Sequence, residues 1–202
     1  MKRPPDARPA SWPPPHRAVA WPGGQAVARY ILDNPRVVAG RRVFDIGAGC
    51  GVTALAALAA GAAHVCANDT DAAALAAVAV NARANGLGDA LHDGRLSLDS
   101  RDLLFGDARA ATDALASYDV VLAGDMCFIT TIAASMRAVL GAAARRPGAT
   151  TLLGDPGRRA SVVVADWGNG LARVGGYEVT DADSDPLVEG STRRRVDVWR
   201  SG

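Results

Sequence analysis

Lysine is nearly absent from these 202 residues: Lys2 stands alone, so arginine carries almost all of the positive charge. With a net charge of +1, the chain has no general field to attract nucleic acid or a membrane surface. The run Arg193-Arg194-Arg195 is the one local cluster, and it reads as a solvated patch near a strand end. Cysteine is scarce as well. Cys50, Cys66 and Cys127 are scattered, with no C-x-x-C and no histidine at ligand spacing, which argues against a zinc centre, any other metal site or a disulfide framework. Aromatic residues make up only 5% against 49% hydrophobic residues, so Ala, Val and Leu must fill the core, as suits thin layers of helix on sheet. No apolar run reaches about 18 unbroken residues, the length of a membrane-spanning helix. Met1-Lys2-Arg3-Pro4-Pro5 leads into prolines rather than into an apolar targeting core. These absences predict a cytoplasmic protein without nucleic-acid or membrane partners.

What is present has a regular order. Residues 1–17 hold Pro4, Pro5, Pro9, Pro13, Pro14 and Pro15, too many for a helix or a central strand, and predict an extended or mobile arm. Residues 18–202 are long enough for one α/β domain and too short for two. Helical spacing from Gly24 to Asn34 is stopped by Pro35. Apolar strands are then predicted at Arg42–Ile46, His64–Asn68, Leu96–Leu98, Asp119–Gly124 and Ala149–Gly154. Helices are predicted at Thr53–Ala60, Asp71–Asn85 and about Ile129–Arg145. Strands apolar on both faces that alternate with helices indicate a doubly wound, mostly parallel sheet. Two late strands, Gly176–Thr180 and Val196–Trp199, lack helical length between them and predict an antiparallel pair at one edge.

The informative segment is Val43-Phe44-Asp45-Ile46-Gly47-Ala48-Gly49-Cys50-Gly51, a buried strand running into a glycine turn and then a helix. Such a turn offers backbone N–H groups to a ligand. Asp69, at the end of the next strand, can accept both hydroxyls of a ribose, so the pair points to a nucleoside cofactor. Asp45, Gly47, Gly49, Gly51, Asp69, Asp102, Asp125 and Asp155 all fall at or just after the C-terminal ends of strands, where an open α/β sheet has its crevice. The third glycine comes one residue too early for the dinucleotide fingerprint, which argues against a nicotinamide enzyme.

These residues resemble the seven-strand (class I) S-adenosylmethionine-dependent methyltransferases. Val43 to Gly51 is similar to their glycine motif, Asp69 to their ribose acid and the late antiparallel pair to their last two strands. Within that fold the chain is similar to the lysine methyltransferases acting on the electron transfer flavoprotein β subunit, and to their bacterial relatives. Ala20-Trp21-Pro22-Gly23-Gly24-Gln25 with Ala28-Arg29-Tyr30, Gly124-Asp125-Met126, Gly154-Asp155-Pro156-Gly157-Arg158 and Val198-Trp199 carry that likeness, which runs from about Pro15 to Arg200. The resemblance implies a Rossmann-like sheet of strand order 3-2-1-4-5-7-6, with S-adenosylmethionine as cofactor and S-adenosylhomocysteine as product. It implies that Asp45, Gly47, Gly49, Gly51, Asp69, Asp102, Gly124 and Trp21 surround the cofactor.

Asp125-Met126-Cys127-Phe128 fits the D-x-x-[FY] motif of the group. Methyl transfer is an in-line displacement, so the protein must align the nucleophile and strip its water. A carboxylate can hold an N–H in line, and an aromatic face can stack on the acceptor or shelter a sulfonium. Asp125 is the expected acceptor hook and Phe128 its wall; the plain alternatives are a helix N-cap for Asp125 and core packing for Phe128. Asp102 is the expected adenine partner, with Asp107 as its rival. Trp21 is either a lid or a packing residue. His16, Trp21, Asp155 and Arg158 are the candidates for contact with the acceptor. Two features depart from the relatives: a short proline-rich arm stands in place of a longer aromatic and acidic segment, and Ile129 stands where an acid is common. Fewer acids favour a neutral, flat acceptor, so an indole or aromatic amine of secondary metabolism is the leading expectation, and a lysine of a flavoprotein β subunit-like protein the second.

Overall fold

The computed structural model describes residues 19–157, 170–180 and 193–202; the proline-rich arm, His16 and Arg158 lie outside them. Helix α1, Pro22–Asp33, begins with Pro22 in the first turn, where a missing N–H costs nothing. It ends at Asn34, whose side-chain amide donates to the Tyr30 carbonyl. Then follow β1 (Arg42–Ile46), α2 (Val52–Ala59), β2 (His64–Asn68), α3 (Ala72–Ala84) and β3 (Leu96–Asp99). The second half holds α4 (Ala108–Leu115), β4 (Val120–Ala123), α5 (Thr130–Ala144), β5 (Thr150–Asp155), β6 (Ala172–Thr180) and β7 (Arg193–Ser201). The sequence did not anticipate α4. Among its described side chains the buried apolar positions are Ala111 and Leu115, one turn apart in a helix of eight residues, too short a period to stand out. Asp107 starts it by accepting the Arg109 N–H, so this acid is a helix cap.

The seven strands lie in the order β3-β2-β1-β4-β5-β7-β6. β1 to β5 run parallel, and β7 returns antiparallel between β5 and β6. This is the doubly wound sheet with an antiparallel edge that the strand pattern and the resemblance predicted. Successive side chains alternate between two buried layers. Val43, Val65, Val120, Leu122, Leu152, Val196 and Val198 meet Val27 and Ile31 of α1, Ala54 and Leu58 of α2 and Val78 of α3. Phe44, Ile46, Cys66, Val121 and Leu153 meet Leu115 of α4 and Met136 and Leu140 of α5. Each fully buried Val, Leu or Ile contributes about 1.5–3 kcal/mol, so both faces of the parallel strands are held. This brings the C-terminal ends of β1, β2, β4 and β5 to one rim. Among the described residues no helix is long and apolar enough to cross a membrane.

Candidate active site

The glycine turn after β1 is built from three left-handed residues, Gly47 (φ 66°), Gly49 (φ 54°) and Gly51 (φ 85°). Each has a different reason to lack a side chain. At Gly49 no atom lies within 4 Å of the place a Cβ would take, so the backbone faces open space. At Gly51 a Cβ would meet Val78 at 3.0 Å, so this glycine lets α3 close on the turn and is itself buried. At Gly47 a Cβ would strike the thioether of Met126. Asn81 of α3 braces the turn by donating to the Cys50 carbonyl at 2.8 Å.

Asp69 is half-buried beside the turn. One carboxylate oxygen accepts from the Gly49 N–H at 3.0 Å and the other from the Asp71 N–H at 2.9 Å. Asp69 thereby joins the glycine turn to the start of α3 and stands next to the open backbone, as a ribose acceptor would. Asp45 is placed differently. It is wholly buried, and neither carboxyl oxygen makes a hydrogen bond of acceptable geometry. Burial raises its pKa to about 7, tempered by the nearby Thr53 hydroxyl and Ala54 N–H and raised further by the Asp69 charge. Asp45 thus presents no surface to a ligand in this conformation and sits under the turn beside the N-terminus of α2.

Asp102 lies half-buried in the loop after β3. Its Oδ1 accepts from the N–H groups of Leu104 and Phe105 at 3.1 and 3.0 Å, forming a local turn that fixes the carboxylate.

The ends of β4 and β5 carry the second half of the rim. Gly23 at the start of α1 packs backbone to backbone against them: a Cβ on Gly23 would lie 2.9 Å from Asp125 Cα and 2.9 Å from the Gly154 carbonyl oxygen. Gly124 faces Gly24 in the same way: a Cβ on Gly124 would lie 3.0 Å from the Gly24 Cα. This glycine contact seats the Trp21-Pro22-Gly23-Gly24 segment on the rim and brings half-buried Trp21 to its border. The Gly23 N–H donates to Asp125 Oδ2 at 3.3 Å. Asp125 does not cap the next helix. The N-cap of α5 is Ile129, four residues on, and it makes no side-chain cap.

Cys127 is buried between the two strand ends. Burial first, then the charges of Asp155 and Asp125, push its thiol up to about 12, so both carboxylates stand close to it. Asp155 is buried and accepts from the Gly157 N–H at 2.9 Å. Phe128 is half-buried at the entrance to α5. The structure therefore gathers Gly47, Gly49, Asp69 and Asp102 on one side of the rim and Trp21, Gly124, Asp125 and Asp155 on the other. Sequence reasoning missed two bracing amides: Asn81, and Asn68, whose Nδ2 donates to the Asp99 and Arg101 carbonyls in the loop after β3. The signal for Asn68 was a lone amide closing an otherwise apolar strand; Asn81 lies three residues after Val78, on the face of α3 turned to the glycine turn.

The open backbone at Gly49, the half-exposed Gly47 and Gly49 and the adjoining Asp69 carboxylate fit a nucleoside cofactor with an amino-acid tail. Comparison with known proteins agrees with that geometry. Residues 29–124 match the family described as ribosomal protein L11 methyltransferase (PrmA). The electron transfer flavoprotein beta subunit lysine methyltransferase of Rattus norvegicus is 38% identical over 149 residues, covering 73% of this chain and 53% of the relative. The chain thus spans about half the length of the curated relatives it matches. Among solved structures, a putative RNA methyltransferase from Pyrococcus horikoshii superposes with a TM-score of 0.60 at 18% identity, covering 90% of this chain and 84% of that one. An RNA methyltransferase from Salinibacter ruber in complex with S-adenosyl-L-homocysteine gives 0.54 at 16% identity, covering 88% and 90%. At these identities the structures establish the fold.

Proposed function

Since the chain has the class I methyltransferase fold and resembles the electron transfer flavoprotein β subunit lysine methyltransferase group, we propose that it transfers methyl groups from S-adenosylmethionine to a lysine nitrogen of a protein acceptor. The observation that carries this reading is the 38% identity to the rat enzyme across 149 residues. The expectation of a flat aromatic acceptor rested on two departures from the relatives, the short proline-rich arm and Ile129 in place of an acid, and has no comparable support.

When bound, the cofactor supplies an electrophilic methyl group on a sulfonium sulfur. The residues that would hold it are Gly47 and Gly49 through backbone, Asp69 at the ribose and Asp102 at the base. On the acceptor side, a lysine arrives as an ammonium and must lose a proton before its nitrogen can attack. Asp125 accepts an N–H of the incoming nitrogen and holds its lone pair toward the methyl group. Asp155, close to the same Cys127 thiol, adds negative charge at the rim and favours entry of a cation over a neutral ring. Phe128 and Trp21 exclude water from the lysine stem. The ammonium's proton passes to solvent by way of Asp125 before the nitrogen attacks, and the bound cofactor would supply the methyl group and keep the displaced electron pair as a neutral thioether. His16 and Arg158 remain candidates for acceptor contact.

A side-by-side assay with methyl-labelled cofactor tests this. Label is expected in flavoprotein β subunit and is lost when its lysines are replaced by arginine. Label in indoles or aromatic amines with none in the protein would overturn the lysine reading.

A further inference from the structure

Asn68 is the last residue of β2 and only 3% exposed. Its backbone and its side chain face different halves of the cofactor cradle. The main-chain carbonyl accepts from the Ala48 N–H, inside the glycine turn, at 2.9 Å. The side-chain amide spends both of its hydrogens on the loop that follows β3: Nδ2 donates to the Asp99 carbonyl at 3.1 Å and to the Arg101 carbonyl at 2.9 Å. The Asp99 carbonyl also takes the Asp69 N–H at 3.0 Å, so the ribose acid and the amide grip the same peptide. Directly after this gripped stretch comes Asp102, with its carboxylate fixed by Leu104 and Phe105.

We infer that Asn68 is a positioning residue for the base end of the cofactor, holding the loop at residues 99–102 so that Asp102 meets the adenine. The inference rests on the cofactor reading above. The chemistry restricts the choice of residue. Two carbonyls need two donors from one short planar group, which the asparagine amide supplies. A serine supplies one donor, and an aspartate turns an acceptor toward two acceptors. Without the amide, both carbonyls lose a donor in a half-closed place and the loop is free to shift.

Asn81 is an internal comparator. Its side-chain amide donates to the Cys50 carbonyl in the glycine turn, the half of the cradle that would take the cofactor's amino-acid tail, rather than to the carbonyls of the loop after β3. Calorimetric titration with S-adenosylhomocysteine and with 5′-methylthioadenosine, which lacks that tail, separates the two braces. Asn68→Ala is expected to weaken both ligands by the same factor, roughly tenfold, as loss of a net hydrogen bond or two implies. Asn81→Ala is expected to weaken S-adenosylhomocysteine and leave methylthioadenosine nearly unchanged. In Asn68→Asp, affinity should recover as the pH falls and the carboxyl regains a donor hydrogen. Should Asn68→Ala fail to fold, Asn68→Ser keeps one donor and should show a smaller loss, equal for the two ligands. A folded Asn68 variant that binds both ligands like the unaltered protein overturns the inference, as does a loss confined to S-adenosylhomocysteine. An unaltered protein that binds neither ligand overturns the cofactor reading itself, and the inference with it.

Discussion

The thioether of Met126 occupies the position that a Cβ on Gly47 would take, so the loop after β4 and the turn after β1 are in direct contact across the rim. Gly47 also has φ 66°, a conformation costing an L-residue about 1–2 kcal/mol. Gly47→Ala therefore carries two penalties, strain in the backbone and displacement of a side chain. Titration with S-adenosylhomocysteine should show binding weakened by roughly tenfold or more. Adding Met126→Ala should restore part of the loss and leave the backbone share. Full recovery in the double variant would show that φ at Gly47 is not strained.

Gly154→Ala should damage the fold rather than the ligand site. Its Cβ would fall 2.7 Å from the Gly23 carbonyl carbon and 2.9 Å from Gly23 Cα, atoms of backbone that cannot swing aside. Overpacking of this kind costs about 1–3 kcal/mol, and more where neither partner can yield. Urea denaturation should place Gly154→Ala well below Gly49→Ala, where no atom lies within 4 Å and only the φ of 54° is at stake. Equal midpoints for the two variants would contradict the backbone contact.

Asp45 predicts a pH dependence of stability opposite to that of a paired carboxylate. Burial holds its folded pKa at about 7, against the ordinary carboxyl value of 3.8, so the folded state keeps its proton over a range in which the unfolded chain has lost it. The contribution is intact below about pH 4, falls by up to about 1.4 kcal/mol per pH unit between there and about 7, and changes no further above. Stability measured for the unaltered protein minus Asp45→Asn should show this slope. A flat difference across pH 4–7 would mean that the buried carboxyl is ionised throughout.

Asp125→Asn preserves an acceptor oxygen for the Gly23 N–H and removes the negative charge. Folding and S-adenosylhomocysteine affinity should stay within about twofold of the unaltered protein, while kcat on a lysine acceptor falls by roughly 100-fold, the scale of a lost proton-transfer or alignment group. Because Asp125 stands four residues ahead of the α5 cap, loss of helix stability cannot account for such a fall. Full activity in Asp125→Asn would remove the carboxylate from the proposed mechanism.

Much of the sheet was legible along the chain because its signals are local. Arg42–Ile46 and His64–Asn68 have the predicted ends to the residue, since apolar β-branched runs are bounded by arginine or histidine at one end and glycine or aspartate at the other. Asp71 and Asn85 flank α3 where their side chains predict. Helix α4 was not legible, with Ala111 and Leu115 as the buried positions among its described side chains. The cofactor side of the site was also largely readable, because left-handed glycines and a strand-end acid must lie near one another in chain order. Asp45 belongs to the same motif by sequence, yet its strand parity turns it inward.

The sequence by itself determined the alternating strands and helices, the glycine turn and which acids end the strands, since each is marked by residues within a strand or a turn of one another. Only the tertiary structure decided that Asp125 accepts from the Gly23 N–H, 102 positions away, rather than capping α5. It also decided that Gly23, Gly124 and Gly154 form one close backbone contact, and that Asn68 reaches the loop of another strand. Those relations join residues 31 to 131 positions apart. Packing at van der Waals distance leaves no periodic mark on the chain; it is fixed only when the sheet brings the strand ends to one rim.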